Sequence, residues 1–287
     1  MLPILYGLGA ALSWGAGDFT GGLASRRAGA YRSVFYGEVI GVAILLISGA
    51  IFKEPFSDTR TWLLSMLAGA LGSIGLLLLY HSMTLGLMSI AAPVSALLAA
   101  AVPVIFGIFT EGLPEYWTII GFGFALTAVW LVSQSGSSVT NLFTHLSDLK
   151  LPLLAGMGFG SYFIVMHEAT RAGGILWPMV ASRTGGMLLV IGYLLIIKST
   201  WKVEPSAWPF IFLNGTLDVA GNAFFILAGQ AGRLDVTAVL SALFPGATVL
   251  LAWIFLRERL TRNQWVGILC ALAAIVLMSY QPINTGP

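Results

Sequence analysis

The sequence predicts an all-α membrane protein, ten transmembrane helices arranged as two inverted five-helix repeats, and three observations carry that prediction. Hydrophobic residues make up 57% of the 287-residue chain and charged ones only 9%, with a mean hydropathy of +0.90, whereas a soluble domain carries about 25% charged residues. Ten apolar runs follow one another with short connections, each about 20 residues long, the length of helix that crosses a bilayer. The second five runs repeat the first five in register. An odd number of spans per copy brings the second copy into the membrane from the opposite side, which relates the copies by a pseudo-two-fold axis in the membrane plane.

The predicted spans are 2–24, 31–52, 61–83, 88–110, 116–134, 151–170, 175–198, 207–229, 234–256 and 263–281. The first, opening MLPILYGLGAALSWG, has no basic leader region and runs on beyond signal-peptide length, so it reads as a retained span. Glu38 falls in the second, Tyr80 and His81 close the third, and Pro93 and Pro103 interrupt the fourth. The fifth and tenth carry Gly121 with Ala125 and Gly267 with Ala271, small residues four apart that mark close-packing faces. The longest connection, QSGSSVTNLFTHLSDLK from Gln134 to Lys150, is polar and Ser-rich. Residues 1–134 are therefore the first repeat, 135–150 the linker and 151–287 the second repeat. Arg183 lies in the seventh span, and Pro245 bends the ninth, where it removes a backbone hydrogen bond.

The repeat is visible residue by residue. Leu2, Pro3, Leu5, Gly7 and Gly9 recur as Leu151, Pro152, Leu154, Gly156 and Gly158, each pair 149 positions apart. Further on the offset is 146, matching Trp62 with Trp208, Gly69 with Gly215, Gly75 with Gly221, Ser95 with Ser241 and Gly121 with Gly267. Leucine and alanine match by chance between apolar helices; Gly, Pro, Ser and Trp in one register do not.

A polar stripe crosses the eighth span. Asn214, Asp218 and Asn222 are spaced i, i+4, i+8, one face of a helix, with Gly215 and Gly221 beside them. Asp218 falls near the bilayer midplane, where a carboxyl group costs roughly 2.5–3.5 kcal/mol unless it faces protein or water. The first copy has Ala68, Gly72 and Leu76 instead, so the stripe is not demanded by the repeat and reads as substrate binding; the structural alternative is interhelical hydrogen bonding. Trp14 and Asp18 share a face of the first span and are further substrate-binding candidates. The counterpart of Asp18 is His167, and ionisable groups at equivalent positions suggest a proton-coupling pair. Arg183 maps one turn from Glu38, so the two form either an ion pair between halves or two local anchors. Facing a cavity, Arg183 is the natural partner of a substrate carboxylate. Tyr80 is a binding candidate that reads equally as an interfacial aromatic anchor.

These features resemble the EamA family of the drug/metabolite transporter superfamily. The resemblance rests on the doubled five-span unit, on Gly7, Gly9, Trp14 and Gly15, and on LRERLTRNQWVGILCALA, where Glu258, Leu260, Thr261, Gln264 and Gly267 match the family pattern. In the first copy FTEGLPEYWTIIGFGFAL keeps Glu111 and Gly121 and departs between them. The resemblance implies a secondary transporter of the plasma (inner) membrane, a multi-pass exporter of small metabolites such as amino acids by alternating access, with a cavity lined by spans one, three, four, six, eight and nine. Multidrug or cation efflux is the alternative within that class. A polytopic membrane enzyme is the alternative outside it, and no nucleophile with an adjacent base is visible to support one. Three histidines without metal-ligand spacing, and no phosphate-binding glycine loop, give no cofactor. A net charge of +2 gives no nucleic-acid partner. The expected partners are a small-molecule substrate, protons and the lipid bilayer, with monomer and homodimer both open. The loops at one face carry nine Lys and Arg against four at the other, which places the termini outside by the positive-inside rule, whereas the resemblance implies cytoplasmic termini.

Overall fold

Long apolar runs have no water to satisfy their backbone, so each must close its own hydrogen bonds as a helix. The computed structural model describes residues 1–84, 88–133, 149–198, 201–257 and 259–279, without the side chains of residues 80, 83, 84, 88–90, 92 and 93. It contains α1 (Leu2–Ala28), α2 (Ala30–Phe52), α3 (Thr59–Thr84), α4 (Met88–Glu111), α5 (Tyr116–Ser133), α6 (Lys150–Thr170), α7 (Leu176–Ile196), α8 (Trp208–Ala231), α9 (Leu234–Ser241), α10 (Phe244–Leu256) and α11 (Arg262–Ser279). Residues 134–148 of the linker, with His145, and Glu258 of the family pattern lie outside the described residues.

The predicted ninth span is two helices. Pro245 has no N–H to give, and its ring crowds the carbonyl four residues back. The chain therefore tightens between α9 and α10, with Leu243 N–H donating to Leu240 O (3.2 Å) and Gly246 N–H to Leu243 O (2.9 Å).

Among the described residues eight segments are long and apolar enough to cross a membrane: 30–52, 59–79, 94–111, 116–133, 176–196, 205–231, 234–256 and 262–279. The two helices outside that set, α1 and α6, are counterparts in the repeat. Both bury glycine faces, Gly7, Gly15 and Gly17 in α1 and Gly156 and Gly160 in α6. A helix gripped by protein on several sides selects small residues for close packing rather than lipid-facing bulk.

The packing repeats with the sequence. A Cβ added at Gly121 would lie 2.8 Å from Met278 Cγ and 3.5 Å from Leu277 Cβ, and one added at Gly267 would lie 2.7 Å from Val132 and 3.1 Å from Leu131. The 146 offset carries each contact into the other. Likewise Gly69 abuts the Ser182 carbonyl of α7, and its counterpart Gly215 abuts the Gly37 carbonyl of α2. In consequence α1 packs on α8, α9 and α10, while α6 packs on α3 and α4. The two groups meet along a seam, with α2 and α7 against each other at its side and α5 and α11 paired beyond it. Across the seam α9 packs on α4, and α6 meets α8.

Candidate functional site

Three helices deliver charged side chains to one point of the seam. Arg183 comes from α7, and its exposure is 6%. Nη1 donates to Glu38 Oε2 on α2 at 2.7 Å, and Nη2 donates to Asp218 Oδ2 on α8. Glu38 is 23% exposed and Asp218 38%. The guanidinium fits because position 41 has no side chain: a Cβ there would lie 2.7 Å from Arg183 Cζ and Nη1. Gly41 belongs to the buried face of α2, Ser33, Gly37, Gly41, Leu45 and Gly49, one residue every four. That spacing makes one stripe along which α7 and α8 approach closely.

The polar stripe predicted on α8 surrounds this point. Asn222 Nδ2 donates to Asp218 O (2.7 Å) and Asp218 Oδ2 (3.2 Å), and its Oδ1 accepts from the Tyr162 hydroxyl of α6. Asp218 is thereby shared between Arg183 and Asn222, and the network runs from α2 through α7 and α8 to α6. Asn214 faces the other way along the stripe, donating to Gly17 O of α1 at 2.8 Å, in contact with glycines 17, 21 and 37. Two carboxylates on one guanidinium leave an excess of acceptors, and a charged group at this depth is stable only when paired or wet. Asp218, more than a third exposed, is the member whose carboxylate keeps an accessible acceptor.

Of the remaining candidates, Trp14 and Asp18 flank the network and His167 lies apart from it. Trp14 stacks on Phe163 with centroids 5.6 Å apart and lies 5.8 Å from Phe225, over the bare backbone of Gly221. Its faces are largely occupied by an aromatic core behind the polar network. Asp18 is exposed on α1, in the residue after Gly17 against which Asn214 packs, with the Asp218 carboxylate as its charged neighbour. His167 is buried at the opposite end of the seam, 3.9 Å from Glu111, so the pair is not brought together. The backbone of Tyr80 is in α3, and its side chain lies outside the described residues.

Sequence reasoning did not assign Tyr162, which stands mid-helix rather than at a membrane interface; that position was its only signal. It also passed over a second polar cluster, Arg233 with Glu111 and Asp235, at the end where His167 lies. A cavity of about 310 Å³ at the same end, lined by Asp58, Arg60, Thr61, Glu168 and Arg171, is remote from the central network. Among the described residues no group of three His, Cys, Asp or Glu side chains is placed to hold a metal ion.

The sequence profile of the EamA-like transporter family matches residues 1–134 and 148–280. A Lactobacillus johnsonii protein named "Putative sugar uptake protein" is 26% identical over 268 residues, covering 86% of this chain and 88% of its own. A Streptococcus agalactiae serotype V protein of the same description is 25% identical over 284 residues, 93% of this chain and 94% of its own. An uncharacterized protein of Methanocaldococcus jannaschii is 29% identical over 104 residues, 36% of this chain and 76% of its own. A solved crystal structure 14% identical superimposes with a TM-score of 0.78 over 96% of each chain, a likeness of fold alone.

Proposed function

Because the chain belongs to the EamA-like transporter family, we propose that it is a secondary transporter of the inner membrane that moves a small polar solute by alternating access. Its ten spans form two inverted units, residues 1–134 and 151–287, joined by 135–150. The observation that carries this reading is the Glu38, Arg183, Asp218 network, an ionic cluster with a buried guanidinium and a partly exposed carboxylate, set among apolar helices at the seam between the two helix groups. Such a cluster is costly as mere packing, and inverted-repeat carriers place their substrate sites at the interface between repeats.

The groups left accessible favour a hydrogen-bonding solute. Arg183 is buried with both arms engaged, whereas Asp218 and the asparagines line the half-open wall beside the aromatic group of Trp14, Phe163 and Phe225. A neutral polyhydroxylated compound matches that mixture, in line with the name carried by the two full-length relatives. A second reading, amino-acid export, draws on the adjacency of guanidinium and carboxylate: a zwitterion could take Arg183 with its carboxylate and Asp218 with its ammonium by exchanging partners. Multidrug or cation efflux would rely on Asp18 and Asp218 alone. Counterflow in proteoliposomes loaded with labelled hexoses, pentoses or amino acids separates these readings. The sugar reading expects exchange with a sugar that is lost in Asp218→Asn, and exchange with amino acids only would reject it. Inverted topology is checked with single cysteines in the loops at Arg26 and Arg171, in a Cys270→Ser background. An impermeant maleimide should label only one of them in intact cells, and equal labelling would reject the arrangement.

A further inference from the structure

Among the described residues, the polar bonds that join α4 and α6 to α8 and α9 lie between the middle of the seam and one end. At the middle are the bonds of Arg183 and of Tyr162. Beyond them, Gln230 Nε2 at the end of α8 donates to Thr170 O of α6 (3.0 Å), and His167 of α6 rests on Gly229 of α8, with Glu111 of α4 3.9 Å away. At the end, Arg233 fastens the turn between α8 and α9 to α4. Nη1 donates to Glu111 O (3.0 Å) and Nη2 to Gly112 O (2.6 Å), the closing carbonyls of that helix, while Nη2 also holds Asp235 Oδ2 at 2.7 Å. Asp235 is fully buried, in the first turn of α9, and Gly107 of α4 leaves room for it, its own added Cβ falling 3.0 Å from Asp235 Cβ.

At the other end Arg32 Nη1 donates to Lys202 O (2.7 Å) and the Tyr36 hydroxyl to Trp201 O (2.8 Å), bonds that tie α2 to the segment after α7 at the side of the seam and use no carboxylate. Leu87 and Ser89 occupy the sequence positions equivalent to Arg233 and Asp235, so the repeat does not require the network. A charged cluster built into one end, between helices of the two packing groups, is what a two-state element needs at the end it holds shut.

We propose that Arg233, Asp235 and Glu111 form a latch that closes one end of the seam, and that releasing it exposes the seam at that face while the opposite end closes. This rests on the alternating-access reading above and adds to it the position and the residues of one gate. The chemistry is that of charge-assisted bonds to helix-end carbonyls, each stronger than a neutral bond and lost together when the helices part.

The test needs no substrate. Thr170→Cys places a reporter under the latch, at a residue 2% exposed whose hydroxyl bonds only within its own helix. Gly22→Cys places a second toward the other end, where an added Cβ meets nothing within 4 Å. Each is made in Cys270→Ser and labelled with an impermeant maleimide in detergent. Arg233→Gln with Asp235→Asn removes the guanidinium together with the fully buried carboxylate, leaving Glu111, 18% exposed, beside His167. The latch predicts that labelling at Thr170→Cys accelerates about tenfold, the shift expected from losing one charged bond, while labelling at Gly22→Cys stays level or falls. No acceleration at Thr170→Cys overturns the proposal. Should the double variant label at both positions like protein unfolded in dodecyl sulfate, Arg233→Lys decides, since it keeps the charge and loses the fork. A selective rise at Thr170→Cys then upholds the latch, and no selective rise overturns it. Because labelling is independent of any solute, a wrong assignment of substrate class leaves the result intact.

Discussion

Replacing Arg183 with methionine should separate the energetic roles of the three charges at the centre of the seam. The variant keeps the length of the side chain and leaves Glu38 and Asp218 facing one another without their shared cation. Removing one partner of a buried pair costs about 3–5 kcal/mol; with Asp218 38% exposed and Glu38 23%, water screens part of it, so about 3 kcal/mol is expected. Asp218→Asn leaves Arg183 matched one-to-one with Glu38 and keeps an oxygen for Asn222, and its cost should be about 1 kcal/mol. The double variant removes the cation together with one of its two anions, so the losses should fall short of additive by about 1.5–3 kcal/mol, the worth of a charged hydrogen bond. Reversible unfolding in mixed micelles measures all three. Additivity within about 0.5 kcal/mol would refute the shared-cation account. On the transport side, Asp218→Asn should abolish most flux while folded protein remains abundant. A destabilised Asp218→Asn with normal flux per molecule would make the carboxylate interhelical glue.

Gly41→Ala should act through Arg183. Its new methyl group meets the guanidinium at 2.7 Å, so the variant should lose about 1–3 kcal/mol of stability, whereas Gly22→Ala, with open space around it, should lose about 1 kcal/mol less or even gain from helix propensity; thermal melts of the two side by side check this. Glu54 accepts from the N–H groups of Ile175, Leu176 and Trp177 and so caps α7 from the loop before α3. Glu54→Ala should cost about 1–2 kcal/mol, and hydrogen exchange should accelerate selectively in the first turn of α7; uniform exchange would deny the cap. If protons are coupled beside the central network, Asp18→Asn should flatten the pH dependence of flux. His167→Gln should not, since that side chain is buried behind Arg233 and Glu111; flattening by His167→Gln alone would move the coupling site to the latched end.

The sequence by itself determined the helices and their pairing. Where lipid surrounds the chain the backbone has no alternative to a helix, so apolar run length fixed the elements, and Pro245 marked the place where the ninth would break. Glycines repeating at offsets of 149 and 146 announced contacts that come in matched pairs, as Gly121 with Met278 and Gly267 with Val132 do. The stripe of Asn214, Asp218 and Asn222 was legible because spacing on one helix fixes which residues share a face. What each face meets was decided only by tertiary structure. Arg183 and Glu38 are 145 residues apart, Tyr162 and Asn222 60, and Arg233 and Glu111 122. Helical period fixes a side chain's azimuth about its own axis, but the rotation and depth of one helix against the next follow from the packing of all of them. A guanidinium reaching over a bare glycine, or a turn fastened to another helix's last carbonyls, exists only once that packing is complete.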